Sequence, residues 1–301
     1  MATTPAHSKA RRTGIPAVQR EAQRAWRLLH TDATASIRLA EASLVRALET
    51  RQAAGEAWAR LARGFHTLYF AAPAEAFGEL LLARECFQRV GDRAGEILAI
   101  AGQGRALWRS GRVEAAQALL LPLRDEGARL LKHEQRGVLL NAIAGCYSAQ
   151  GRSEEAFAYM YEALRCASPR RAHGFDAALH CNLSHELLQL GDCDEALAQV
   201  DRGIARCERM HNTRLLAMLL INRVICLTEL GRADEALPDV QRICALPIDA
   251  SGRGTTALHF ETLAITASRA GRADLADELL SRARDSGNLH LPDEQVEFAT
   301  A

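Results

Sequence analysis

Five glycines stand at positions 111, 151, 191, 231 and 271, each 40 residues after the one before. Each opens a related segment: Gly111-Arg112-Val113-Glu114-Ala115-Ala116, Gly151-Arg152-Ser153-Glu154-Glu155-Ala156, Gly191-Asp192-Cys193-Asp194-Glu195-Ala196, Gly231-Arg232-Ala233-Asp234-Glu235-Ala236 and Gly271-Arg272-Ala273-Asp274-Leu275-Ala276. Two further steps back reach Ala71…Ala76 and Thr31…Ser36, degenerate copies that keep a small residue five places on. Self-similarity at one fixed interval is the pattern of a stacked array, in which each unit touches only its neighbours.

One unit reads as helix, tight turn, helix. Before the glycine the apolar residues recur at helical spacing, as in Ile143, Ala144 and Tyr147, or Leu183, Leu187 and Leu190. Glycine suits the end of that helix, where a left-handed residue is needed and a Cβ is penalised. The acids that follow, Asp194 and Glu195 for example, fall in the first turn of the second helix, where its dipole favours them. The small residue five places after the glycine is Ala76, Ala116, Ala156, Ala196, Ala236 and Ala276 in six successive units, which predicts a close helix crossing there. No segment reads as a strand.

The pattern resembles the tetratricopeptide repeat. Small first-helix residues stand at Gly64, Gly104, Ala144, Ser184, Val224 and Ala264, large ones at Leu107, Tyr147, Leu187 and Leu227, and second-helix packing residues at Ala156, Met160 and Ala163. The resemblance implies an all-α, right-handed helical solenoid of about seven helix-turn-helix units over residues 16–290. The interval exceeds the usual ~34 residues, which implies longer helices. Such long-period arrays, and the opening Leu28 to Leu44, resemble the sensory segments of bacterial diguanylate cyclases and related regulators. The implied function is a non-catalytic protein- or peptide-binding scaffold or sensor, the regulatory part of a bacterial signalling protein. A self-associating assembly module without a groove ligand is the alternative. The GGDEF signature of the cyclase itself is absent from the chain.

Charge and cysteine usage narrow the partners. Thirty-seven basic residues balance 37 acidic ones, so there is no general attraction to nucleic acid or to an anionic membrane. Charged residues interrupt every apolar stretch before the ~20 residues a membrane span needs, and no basic stretch followed by an apolar run stands at the start, so a secretory signal is not expected. A cytoplasmic location is expected. The eight cysteines form no CxxC, and Cys86/Cys166 and Cys146/Cys226 keep the repeat phase, as buried packing residues would. Residues 1–15 read as a disordered tail, and residues 291–301 as the start of a capping or further helix. No cofactor or metal is implied.

The first helices of such arrays line a concave groove. Carried over by resemblance, the groove positions are Trp58, Phe65 and Tyr69, then Arg105, Trp108 and Arg109, then Asn141, then Asn182, His185 and Gln189. The last units supply Asn222, Glu229, Glu261 and Arg269. Asn182 and Asn222 carry both a donor and an acceptor, which an extended ligand backbone can use. The early aromatics predict an apolar groove end, unless the N-terminal helix folds over them. Cys181 and His185, four apart on one helical face, are the sole hint of nucleophile chemistry, and neither a third ligand nor an orienting carboxylate stands at matching phase.

Overall fold

In the computed structural model residues 15–70, 73–167, 174–210, 212–246 and 257–287 are described, and among them every regular element is helical. Residues 1–14 and 288–301, for which a disordered tail and the start of a capping or further helix are expected, lie outside the described residues, as do 71–72, 168–173, 211 and 247–256.

Seven helical hairpins follow in order. They are α1 (Ala17–Leu28) with α2 (Ala33–Glu49), and α3 (Ala53–Phe70) with α4 (Pro73–Val90). Next comes α5 (Arg93–Arg109), whose partner is split into α6 (Val113–Leu120) and α7 (Arg124–Leu130). Then come α8 (His133–Ser148) with α9 (Ser153–Cys166), and α10 (Phe175–Gln189) with α11 (Cys193–Met210). The last pairs are α12 (Thr213–Glu229) with α13 (Ala233–Ala245), and α14 (Ala257–Arg269) with α15 (Ala273–Gly287). The split departs from the expected unit. A 3-10 turn over Leu121–Leu123 interrupts the helix at Pro122, which has no N–H to continue the ladder.

The five hairpin glycines all sit at positive φ, between 68° and 77°. At each, the N–H of the next residue reaches the carbonyl five places back: Arg112 to Leu107, Arg152 to Tyr147, Asp192 to Leu187, Arg232 to Leu227 and Arg272 to Ala267, at 2.7–3.0 Å. The glycine N–H reaches three back, as in Gly191 to Leu188 at 3.0 Å. This is the Schellman arrangement, which satisfies the orphan carbonyls of the first helix. The crossing alanines are buried in all six units. Gly64 and Gly104 show why small residues are needed on the facing helix. A Cβ there would stand 2.6 Å from Leu80 Cγ and 2.5 Å from Leu120 Cγ.

Successive hairpins are stitched to one another by side chains about one repeat apart. Thr228 and Thr266 share a hydroxyl hydrogen bond at 2.8 Å, and Ser148 and Ser153 both donate to the buried carboxylate of Glu186. The spine curves enough that the fifth and sixth hairpins come back against the first. The ring of His30, at the end of α1, lies 5.8 Å from that of Phe175 at the start of α10. Asn212, capping α12, donates its side-chain amide to the His30 carbonyl at 2.6 Å. Two residues on, the guanidinium of Arg214 stands over the rings of Tyr69 and Phe70, 5.7 and 5.1 Å from their centroids.

Candidate ligand-binding face

The closure decides which concave residues face solvent. Trp58 and Phe65 are only 7% and 2% exposed. Trp26 of α1 covers both, edge-on, with ring centroids 6.2 and 6.5 Å away. The expected aromatic groove end is therefore core. The physical reason is that α1 buries its own apolar face against the largest apolar surface within reach. Tyr69 is half-buried between His30 and Phe65, with Arg105 5.1 Å from its centroid. Trp108 lies flat on α8, where a Cβ at Gly145 would stand 2.7 Å from its indole.

Much of the expected polar row is spent on adjacent helices. Asn182 donates to Asn141 Oδ1 at 2.9 Å. Asn222, 5% exposed, donates to Ser184 Oγ at 2.9 Å and to the Cys181 carbonyl at 3.4 Å. Arg109 donates to the Leu68 carbonyl, and Arg269 to the Thr228 carbonyl at 3.4 Å. Four of these contacts reach back 41 residues to the preceding first helix. They satisfy helix-end carbonyls and buried amides. Glu229 and Arg269 are exposed and pair with each other at 3.2 Å, and Glu261 is half-buried.

What stays open on the first-helix face lies towards the C-terminal hairpins. His185 and Gln189 are exposed on α10. Three apolar side chains absent from the sequence-based set join them: Met218 (38% exposed), Ile225 (half-buried) and Ile265 (52% exposed). Ile225 and Ile265 fall 40 and 80 residues after His185, so the repeat phase marks them. Polarity alone hid them, because an isoleucine in a helix reads as core.

Electrostatics separates the closed interior from this open face. Burial drives the pKa of His30 down to about 3, and Arg214 and Arg105 push it the same way. Burial pushes the Cys181 thiol up to about 11, with the same two arginines opposing. Burial thus favours the neutral thiol at Cys181, the reverse of an activated catalytic cysteine. Burial likewise pushes Cys146, Cys207 and Cys226 up to about 12, and all eight cysteines are free. Among the described residues no group of His, Cys, Asp or Glu is placed to hold a metal ion, and no helix is long and apolar enough to cross a membrane. A cleft of about 690 Å³ lies between α1 and the starts of α8 and α10, bordered by Trp26, Arg27, Lys132, Glu134 and Phe175.

A family model of the tetratricopeptide repeat matches residues 134–209, spanning α8 to α11. No curated protein matches the sequence. Among solved structures, a Rap protein complexed with Competence and Sporulation Factor is similar at 12% identity. That match covers 90% of this chain and 75% of the other, with a TM-score of 0.63. BtubC (BKLC) from P. vanneervenii is similar at 16% identity, covering 73% of this chain and 91% of its own, with a TM-score of 0.57. A putative kinesin light chain with TPR-like repeats from Podosopora anserina is similar at 18% identity, covering 67% and 96%, with a TM-score of 0.52. The hairpins, their glycine turns and these likenesses together give the chain the fold of a tetratricopeptide-type helical solenoid, with the repeat itself matched over residues 134–209.

Proposed function

We propose that this chain is a non-catalytic scaffold that holds a peptide or protein segment against the concave face of α10, α12 and α14. The observation that carries the reading is the exposure of Met218 and Ile265, with half-buried Ile225, beside His185 and Gln189, on the face where the N-terminal hairpins are sealed by their own chain. Apolar groups left to water on a rigid concave wall, rimmed by polar ones, favour a partner that covers them. A regulatory role in a cytoplasmic bacterial signalling protein, such as a diguanylate cyclase carrying a repeat array, is the finer form of this reading. It is supported by the long repeat interval and by the likeness to a Rap protein crystallised with a bound factor.

The test is selection of peptides from a displayed random library on the full chain, followed by affinity measurement on Ile225→Asp and Ile265→Asp. Both variants should fold and lose binding by at least about tenfold, since burying an unpaired carboxylate costs several kcal/mol. Peptides that bind wild type and variants equally would remove the concave face from the function. Self-association is the second reading, favoured by Leu81 and Tyr161, exposed apolar residues two repeats apart on the second helices α4 and α9. Light scattering across a concentration series separates the two.

A further inference from the structure

We propose that the cleft between α1 and the starts of α8 and α10 is a binding site for a small aromatic carboxylate. It lies apart from the open wall of α10, α12 and α14, because Met218, Ile225 and Ile265 take no part in its lining.

The cleft has the size and walls of a small-molecule site. Its volume of about 690 Å³ falls within the ~300–1,000 Å³ that such sites occupy. Stretches distant in sequence enclose it: Trp26 on α1, Trp58 on α3, Leu131 and Lys132 between α7 and α8, and Phe175 on α10. The two indoles meet edge to face with centroids 6.2 Å apart, and an aromatic body gains the same kind of contact against such rings.

The unpartnered polar atoms of these walls are all donors. Trp26 Nε1, Trp58 Nε1 and Arg136 Nε are buried without an acceptor, and Trp58 is only 7% exposed. Indole and guanidinium N–H groups cannot accept, so a ligand that relieves them must bring acceptor oxygens.

Charge selects a monoanion. Arg136 is paired with Glu162, and Asp176 with Arg206 at 2.5 Å. Arg27, from α1, and Lys132, from the start of α8, are exposed and have no ion pair among the described residues. Setting these two cations against Glu134, the remaining acid of the described lining, leaves one net positive charge, the complement of a carboxylate. At the same rim α10 begins, and its N-cap, Gly174, has no side chain to offer the first turn, so negative charge is favoured there. A ligand held in this way touches α1, α8 and α10 at once, and so strengthens the contact between the first hairpin and the fifth.

The deciding experiment is calorimetric titration of the full chain with 1-naphthaleneacetate, its neutral amide, acetate and 1-naphthyl phosphate. The aromatic acid should bind at least about tenfold more tightly than the amide, a difference of ~1.4 kcal/mol. It should also raise the melting temperature at saturation, as any ligand of the folded state must. Arg27→Gln and Lys132→Gln should each weaken the acid about threefold, the scale of a partly exposed ion pair, and the double variant should bind acid and amide alike. Ile265→Asp should leave the acid's affinity unchanged. Equal binding of acid and amide to wild type, or no binding of the acid, overturns the proposal. Acetate binding as tightly overturns it in favour of a general anion site, and tighter binding of the phosphate rules out the monoanion. Loss of the acid in Ile265→Asp places the probe on the open wall and is equally fatal. Should the charge variants not fold, the comparison of acid with amide on wild type decides by itself. Failure here with selected peptides still lost in Ile265→Asp removes only this cleft and leaves the scaffold reading standing.

Discussion

Asn212 donates its side-chain amide to the backbone carbonyl of His30 across 182 residues of chain, at 2.6 Å. The same side chain caps α12 through its oxygen, which accepts from Leu215 N–H at 3.1 Å. One residue thus starts the sixth hairpin and ties it to the end of the first helix.

That closure should be separable from the stability of the hairpins. Gly174 sits at φ 69°, and a Cβ there would stand 2.8 Å from both the Cβ and the carbonyl oxygen of His30. Gly174→Ala combines left-handed strain with a clash against backbone, an expected cost of about 1–3 kcal/mol. Urea denaturation followed by tryptophan fluorescence reads it. The first change in the variant should be exposure of Trp26 and Trp58, and a single transition coincident with wild type would contradict the assignment.

The hairpin crossings should tolerate almost nothing. Ala196 is fully buried, so Ala196→Asp should cost on the order of 3 kcal/mol or more by forcing a carboxylate between helices. Ala158, exposed on α9, is the control, and Ala158→Asp should stay within about 0.5 kcal/mol. Thermal melts of the two variants side by side decide it.

Glycines of the two kinds should fail for different reasons. Gly191 has φ 77° and nothing within 4 Å of a would-be Cβ, so Gly191→Ala meets only backbone strain, about 1 kcal/mol. Gly104→Ala meets Leu120 instead and should cost about 1–3 kcal/mol by overpacking. The compensating change Leu120→Ala should rescue part of the second loss and none of the first.

His30 makes the closure acid-sensitive. Its folded pKa, about 3, lies below the ordinary value of 6.5, so the unfolded chain binds the extra proton first. The stabilisation is complete above pH 6.5 and is lost as pH falls from there towards 3. His66, His180 and His259 are shifted in the same direction, chiefly by burial. Unfolding free energy should therefore drop between neutral pH and pH 4, with a slope approaching ~1.4 kcal/mol per pH unit for each fully shifted site. His30→Gln should flatten that slope. An unchanged slope would place the titration elsewhere.

How much was legible in the sequence differs between the fold and the candidate site. Tyr147 and Leu187 announce hairpin packing because their partners lie within one repeat. Asn182 and Asn222 announce a shared position but not the direction of their donors, which turn to the preceding first helix at Asn141 and Ser184. Ile225 and Ile265 carry the same phase as His185, yet how far each is covered, as α1 covers Phe65, is set by the packing of separate hairpins and not by the residue itself.

By itself the amino-acid order determined the unit: where each helix stops, which glycine turns left-handed, and which alanine lets two helices touch. Those outcomes rest on contacts within a few turns of helix, which spacing and side-chain size describe completely. Only the tertiary structure decided that His30 meets Phe175 and Asn212, that Trp26 seals Trp58 and Phe65, and that Arg105 and Arg214 share Tyr69. The curvature of a solenoid is the sum of small rotations at every hairpin interface. No local pattern holds that sum, so whether the coil returns to its own beginning is settled when all the units are stacked.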